Sequence, residues 1–231
     1  MQSAERYRCH ACGTVFASET GRRPSPGTPR PEGRFAERFL SVPEPAALRH
    51  LIGYGVMFIL LLYFGLSYIA APIPRSQVPP TLVHRLIQLV DLVFHEAGHV
   101  LFMILSDLLH TLGGSFMQVA VPMVCALAFI GPYRDPLGAA FATWWTGQSL
   151  IDLAPYIDDA RAQRMILLGG ITGQDAPGAH DWNVILADFG LLEYDHTLAQ
   201  WAHLGGSLLI ATAILWSGTL LVRCFVSWQE T

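Results

Sequence analysis

Five long apolar segments constrain the fold of this chain more than any other feature of its sequence. Each is close to the roughly 20 residues that a helix needs to cross the hydrocarbon core of a bilayer. The segments cover about residues 49–71, 82–105, 115–132, 137–157 and 198–222. Helices satisfy their own backbone polar groups in lipid, and runs of this length are typical of membrane helices. We therefore predict an all-α integral membrane protein with about five transmembrane helices, whose first partner is the lipid bilayer.

The composition supports a membrane domain joined to a polar tail. Of the 231 residues, 52% are hydrophobic and 14% are charged, whereas a soluble domain usually carries about a quarter charged residues. We predict a tail over residues 1–47 and a transmembrane domain over residues 48–231. Residues 21–31 contain four prolines and no large apolar side chain, so we expect the tail to include a disordered linker.

The distribution of arginine predicts an orientation in the membrane. All 14 basic residues are arginine, and 8 of them precede the first apolar segment. Because positive charge accumulates on the cytoplasmic side, we predict a multi-pass protein of the bacterial inner membrane with a cytoplasmic N-terminus. Five crossings would place Arg161 and Arg164, after the fourth segment, on that same side and the C-terminus on the far side. No nucleic-acid partner is expected.

The second apolar segment contains the pattern His95-Glu96-Ala97-Gly98-His99. Residues four apart share a helical face, so both imidazoles can bind one Zn²⁺ ion. Glu96 can then reach a water molecule on that metal and act as a general base. Histidines that merely hydrogen-bond between helices would explain neither Glu96 nor the spacing, and ionisable residues at membrane depth are costly. The pattern therefore predicts a zinc-dependent hydrolase.

A catalytic zinc site also needs a third protein ligand and an open coordination position. The fourth apolar segment offers Asp152 in its interior and Asp159 at its end, and we expect one of these two aspartates to bind the metal. Asp158 and His180 are the alternates. Asp158 and Asp159 can also be read as an ordinary helix end at the lipid headgroups, so the choice of ligand stays open.

Other polar residues are predicted to support the ligands. Gln148 shares a helical face with Asp152, and Asp91 lies one turn before His95. Asp91 can orient His95, or it can pair with Arg85 or another polar neighbour, and both interpretations stay open.

Two further segments have structural interpretations. Gly113-Gly114-Ser115 with Gln118 indicates a close approach of helices or a loop packed on the site. Asp181 can cap a short helical segment, and Trp182 can anchor at the membrane interface.

These residues resemble the site-2 protease family of intramembrane zinc metalloproteases. The similarity is carried by the His95-Glu96-Ala97-Gly98-His99 pattern in an apolar helix, and by Pro155 followed by Asp158-Asp159-Ala160-Arg161 in a later one. In that family a later span supplies an aspartate ligand within a motif that ends Asp-Gly-Gly, and those glycines are absent here. The resemblance covers about residues 90–192. It implies hydrolysis of peptide bonds in or near membrane segments of a protein or peptide substrate.

The tail carries a separate cysteine pattern, Cys9-His10-Ala11-Cys12-Gly13. It looks like half of a zinc ribbon, and a closed structural zinc site needs four ligands. No second cysteine pair follows before the first apolar segment. A metal site here would need a second chain, and a degenerate remnant is the simpler interpretation.

Three other functions compete with proteolysis. The same histidines, Glu96 and an aspartate can form a non-proteolytic metal-binding or metal-transport site, in which a Glu96→Gln change would be tolerated. A membrane di-iron oxygenase would need several histidine-rich patterns, and the chain has one. A purely structural scaffold would leave the cost of Glu96 at membrane depth unexplained.

Overall fold

The computed structural model describes residues 6–8, 15–17, 35–73 and 81–230. The chain divides into two compact units, Met1–Ala36 and Glu37–Thr231. In the first unit, β1 (Arg6–Arg8) and β2 (Val15–Ala17) form a short antiparallel ribbon with Tyr7 opposite Phe16. Cys9 and Cys12 lie outside the described residues, so the metal site in the tail stays a prediction.

All regular secondary structure in the remainder of the described chain is helical, which confirms the all-α fold class. The helices are α1 (Phe35–Leu40), α2 (Leu48–Ile69), α3 (Leu82–Phe102), α4 (Asp107–Ala128), α5 (Pro136–Asp158), α6 (Asp181–Asp188) and α7 (Asp195–Gln229). A π-helical turn, Phe129–Tyr133, continues α4, and a 3₁₀ turn, Leu192–Tyr194, precedes α7. The five long helices fall on the five apolar segments of the sequence.

Three of the described helices are long and apolar enough to cross a membrane: Leu48–Ile69, Asp107–Tyr133 and Leu192–Gln229. Their outer faces expose large apolar side chains, including Ile59, Val124 and Leu215. Contiguous exposed apolar surface of this kind marks contact with a membrane or a partner. Helices α3 and α5 have similar lengths but carry the polar side chains of the candidate site.

Local sequence signals set the starts of the helices around the site. Thr81, Ser106 and Asp135 precede α3, α4 and α5, and each side chain accepts a hydrogen bond from a backbone N–H in the first turn. Side-chain oxygens at this position satisfy amides that have no partner within the helix. Pro136 follows Asp135 at the first helical position of α5, where its fixed φ angle is compatible with the helix and no N–H is needed.

Contacts between distant segments define two ends of the bundle formed by α2, α5 and α7. At the end that we call the terminal end, Ser227 near the C-terminus of α7 meets the segment that precedes α2. Its hydroxyl donates to the carbonyl oxygen of Pro43 (3.2 Å) and accepts from the N–H of Ala46 (3.3 Å). Further towards the middle of α7, the indole of Trp216 donates to the carbonyl oxygen of Phe39 (2.6 Å). The chain therefore enters α2 and leaves α7 at the same end.

At the opposite end, which we call the site end, the residues that follow α2 contact the first half of α7. His203 Nε2 donates to the carbonyl oxygen of Ala71 (3.2 Å). Arg161, just after α5, forms an ion pair of 2.7 Å with the buried Asp195 at the start of α7. The α5–α6 loop (residues 159–180) therefore begins at the site end.

Helix α3 starts at the site end and does not run to the terminal end. Its first turn meets α2 through His84 Nε2 and Ser67 Oγ (2.9 Å), and α4 begins five residues after α3 ends. Helix α4 then runs to the terminal end, where Asp135 and Tyr54 line one small cavity.

This path corrects the expected topology. Residues 43–46 and Ser227 share one end, so the prediction of a C-terminus opposite the N-terminal segment is wrong. Arg161 lies at the other end of the bundle from residues 43–46, so the prediction that it lies on the same side as the segment before α2 is wrong as well. Hydropathy alone counts every long apolar segment as a full crossing. Helix α3, however, begins at the site end and stops short of the terminal end, and the following helix, α4, runs to the terminal end.

Two glycine contacts hold helices unusually close together. Between α3 and α4, a methyl group on Gly113 would lie 2.7 Å from the carbonyl oxygen of Gly98. Between α5 and α7, a methyl group on Gly147 would lie 2.6 Å from the carbonyl oxygen of Gly206. Small residues allow such backbone contact between membrane helices. The first contact agrees with the close approach predicted from Gly113-Gly114-Ser115.

Candidate metal centre

Three side chains from two helices converge at the site end: His95 and His99 of α3, and Asp181 of α6. Their ligand atoms all lie within 4.8 Å of one another. One oxygen of Asp181, Oδ2, is 3.1 Å from His95 Nε2 and 3.2 Å from His99 Nε2. Donor atoms about 2.1 Å from a tetrahedral zinc ion lie roughly 3.4 Å apart, so this spacing fits a zinc site. Two imidazoles and one carboxylate are also a donor set that zinc accepts.

Hydrogen bonds on the far side of each imidazole orient the two histidines. His99 Nδ1 donates to the carbonyl oxygen of His110 (2.8 Å), and His95 Nδ1 lies 3.1 Å from Gln118 Oε1. A carbonyl oxygen can only accept, so His99 carries a proton on Nδ1. In the neutral imidazole, Nε2 then presents its lone pair to Asp181. Metal-binding histidines are commonly held in this way.

The link between α3 and the start of α4 is reciprocal. His110 Nδ1 donates to the carbonyl oxygen of His99 (2.9 Å), while His99 Nδ1 donates to the carbonyl oxygen of His110. The two rings pack with centroids 5.2 Å apart. One of these hydrogen bonds fixes the ring of His99 and the other fixes the ring of His110, which lines the same cavity as His99.

The electrostatics of Asp181 suit a metal ligand. Burial opposes ionisation of this carboxyl group, but hydrogen bonds with His95 and His99 outweigh the burial and lower the pKa of Asp181 to about 2. Its backbone N–H donates to the hydroxyl oxygen of Tyr156 (2.9 Å). The carboxylate is therefore ionised at neutral pH, as a metal ligand must be. A lone pair of neutral histidine and a carboxylate oxygen repel each other, so a proton or a cation between them stabilises the arrangement.

The neighbouring glycine leaves room for the imidazoles. A methyl group on Gly114 of α4 would lie 2.5 Å from His99 Nε2 and 2.6 Å from His95 Nε2. Next in the chain, Ser115 accepts a hydrogen bond from the indole of Trp182 (3.1 Å). This bond ties α6, and hence Asp181, to α4. Trp182 therefore takes part in positioning the site, whereas the sequence indicated an interfacial anchor.

The three ligand residues line a cavity of about 660 Å³, within the usual range for sites that bind small molecules or peptide segments. Glu96 lies on its wall, and its carboxylate has no hydrogen bond or ion pair with any residue that the structure describes. Tyr156, Gln118 and Asp152 add polar groups. The α5–α6 loop contributes the apolar part of the lining, with Met165, Ile166, Leu167, Leu168 and Ile171.

The aspartates proposed from the sequence as the third ligand occupy other positions. Asp152 lines the same cavity, where its Oδ1 accepts a hydrogen bond from Gln88 Nε2 (3.2 Å). Asp158 contacts His196 Nδ1 at 2.6 Å, at the start of α7. Neither belongs to the group of three whose ligand atoms converge.

Asp159 and His180 organise the α5–α6 loop. Asp159 accepts hydrogen bonds from the backbone N–H groups of residues 164 and 165 (3.1 and 2.7 Å). His180 is fully buried, and its Nε2 lies 3.4 Å from Asp159 Oδ2. Burial lowers the pKa of His180, and its neutral Nδ1 accepts the N–H of Asn183 as the cap of α6. The loop thus brings Asp181 to the histidines, in place of a ligand from the fourth apolar segment.

The two predicted supporting residues also lie elsewhere. Asp91 Oδ1 accepts hydrogen bonds from Trp145 Nε1 (2.8 Å) and Ser149 Oγ (3.5 Å). The structure therefore shows the alternative in which Asp91 pairs with polar neighbours. Gln148 is fully buried beside Asp91. The residue that orients His95 is Gln118.

Comparisons with protein-family models, curated proteins and solved structures found no match to this chain. We therefore infer its function from the geometry of the site.

Proposed function

We propose that this protein is a zinc-dependent peptidase of a bacterial inner membrane, related in mechanism to the site-2 proteases that its sequence resembles. The observation that carries the proposal is the convergence of His95, His99 and Asp181 beside Glu96 in one cavity. Three protein ligands leave a fourth tetrahedral position for water or substrate, which is typical of catalytic zinc sites and not of structural ones.

In this proposal, His95, His99 and Asp181 hold the metal. Bound zinc would polarise the substrate carbonyl group and lower the pKa of a water molecule towards neutrality. Glu96, the residue after His95, accepts the proton of the attacking water and returns it to the leaving amine, the two tasks of a general acid–base group. Its carboxylate has no competing partner among the described residues, which keeps it available for proton transfer.

The surroundings of the site support a substrate that carries apolar residues. One wall of the cavity is formed by apolar side chains of the α5–α6 loop, and α4, one of the helices able to cross a membrane, contributes His110 and Gln118 to the lining. We therefore propose that the substrate is a peptide bond in or next to a membrane segment, presented in an unwound form.

The test is hydrolysis by the purified full-length protein in liposomes, with a panel of fluorogenic apolar peptides as probes. Glu96→Gln should retain zinc and lose activity by a factor of about 100 or more, the usual contribution of a general base. Glu193→Gln, at an exposed glutamate before α7, is the matched control and should keep full activity.

The non-proteolytic alternative makes a different prediction in the same experiment. Zinc bound by the wild type, no hydrolysis of any probe, and zinc flux into liposomes that survives Glu96→Gln would contradict the peptidase proposal. That outcome would favour metal binding or transport by the same residues.

A further inference from the structure

The metal centre and its cavity belong to the site end of the bundle. Tyr156 in the last turns of α5 contacts the backbone of Asp181, and the apolar wall of the cavity follows α5 directly in the chain. The loop side chains Ile166 and Leu168 line the cavity and are 75% and 63% exposed. The cavity is therefore accessible from the α5–α6 loop, at the end where Arg161 pairs with Asp195.

The two ends of the bundle are separated by the full length of α2. Helix α7 runs antiparallel to it, with contacts that proceed in order from Ala71 near His203 to Gly218 near Phe58. Helix α2 has 22 residues, which corresponds to about 33 Å at 1.5 Å per residue. This length matches the roughly 30 Å hydrocarbon core of a bilayer. The terminal end and the site end thus lie at opposite surfaces of the membrane that α2 and α7 can cross.

The arginines are distributed unequally between the two ends. Among the described residues, Arg38 and Arg49 precede or begin α2 and Arg134 and Arg223 also lie towards the terminal end, whereas Arg85, Arg161 and Arg164 lie towards the site end. In the sequence, six more arginines precede α1 and one, Arg75, lies between α2 and α3. The chain has no lysine, and residues 1–47 contain no apolar run long enough to cross a membrane. Because positive charge near the ends of spans marks the cytoplasmic side, the terminal end is the cytoplasmic one.

We infer that the cavity opens on the side of the membrane away from the cytoplasm. Its substrates, on the function proposed above, are polypeptide segments in or next to that outer surface, and not segments on the cytoplasmic side. The orientation of the cavity depends on two sets of contacts, those of residues 43–46 with Ser227 and that of Arg161 with Asp195. The assignment of substrates rests on the proposed function, whereas the orientation does not.

The orientation can be measured by cysteine labelling of the full-length protein in bacterial cells. In a background where Cys9, Cys12, Cys125 and Cys224 are replaced, a single cysteine is introduced by Leu168→Cys in the α5–α6 loop or by Glu230→Cys after α7. Both positions are exposed. A membrane-impermeant maleimide is applied to cells with a permeabilised outer membrane, and then to detergent-lysed cells as the control for reactivity.

The inferred orientation predicts labelling of Leu168→Cys in intact cells and labelling of Glu230→Cys after lysis alone. Labelling of both positions from the same side, or the reverse pattern, would overturn the inference. Zinc content of the same preparations reports folding of the site. If labelling follows the inferred pattern while the peptidase assay fails, the orientation stands and the proposed function falls.

Discussion

The two glycine contacts of this protein use the same local chemistry for different purposes. Gly98 and Gly113 bring α3 and α4 together, and Gly147 and Gly206 do the same for α5 and α7. Beside the first pair lie two histidines of the metal centre, whereas the side chains within reach of the second pair are Ile151, Leu209 and Ile210. Close packing of α3 on α4 therefore positions the metal ligands, whereas close packing of α5 on α7 holds these two helices of the bundle together.

The largest effect should follow from Gly114→Ala on the α3–α4 side. The added methyl group would lie about 2.5 Å from both Nε2 atoms, closer than van der Waals contact allows, so the imidazoles or α4 must shift. We expect stoichiometric zinc binding to be lost while helix content by circular dichroism is retained. Gly53→Ala, in open space on α2, is the control. Unchanged zinc affinity in Gly114→Ala would contradict the role given to this interface.

A smaller effect is expected when the partner of His95 is removed. Gln118→Ala deletes the oxygen 3.1 Å from His95 Nδ1, which frees the ring to adopt the other tautomer. Loss of such a supporting hydrogen bond typically lowers metal affinity by about 10–100-fold. Competition with a chelator of known affinity measures the change. Equal zinc affinity in Gln118→Ala and the wild type would show that Gln118 does not orient His95.

On the α5–α7 side, Gly206→Ala should affect stability and leave zinc affinity alone. Its methyl group would overlap the carbonyl oxygen of Gly147, and overpacking of this kind costs about 1–3 kcal/mol. The adjacent Gly205→Ala has no atom within 4 Å and serves as the matched control. Chemical unfolding in detergent micelles measures both variants. A fall in zinc affinity per folded molecule in Gly206→Ala would contradict the assignment of zinc binding to the α3–α4 contact and stability to the α5–α7 contact.

The parts of this structure that were predictable from sequence are the local ones. The five long helices follow from runs of apolar residues, and the shared face of His95 and His99 follows from their spacing on a helix. The all-α class needed no knowledge of which helices touch. The close approach at Gly113 was also visible, because small residues in an apolar segment have few other uses.

The parts that escaped prediction depend on contacts between distant residues. Asp181 reaches the histidines because the α5–α6 loop folds back, and that fold is held by His180 near Asp159 and by Trp182 bonded to Ser115. Nothing local in the sequence distinguishes Asp181 from Asp152 as a ligand. The sequence shows only that Asp181 stands between His180 and Trp182 after a glycine-rich loop, and these neighbours do not by themselves identify a metal ligand.

The topology predicted from sequence was wrong for a similar reason. Hydropathy and length describe α3 as a span, but its direction is set by packing of its polar face on α4 and α5. Arginine counting only predicts which end is cytoplasmic, and the path of the helices between the ends needed the contact between Ser227 and Pro43. An arginine count can therefore be converted into a membrane orientation only when it is known which helices connect the two ends of the bundle.

Zinc content is the most direct test of the central claim, which is that Asp181 completes the metal centre. In a background with Cys9→Ser and Cys12→Ser, so that the tail cannot contribute, bound zinc is measured by mass spectrometry in Asp181→Ala, Asp152→Ala and Asp159→Ala. We expect about one zinc ion per chain in the parent, as for a single three-ligand catalytic site, and its loss in Asp181→Ala alone. Retention of zinc in Asp181→Ala with loss in Asp152→Ala or Asp159→Ala would contradict it.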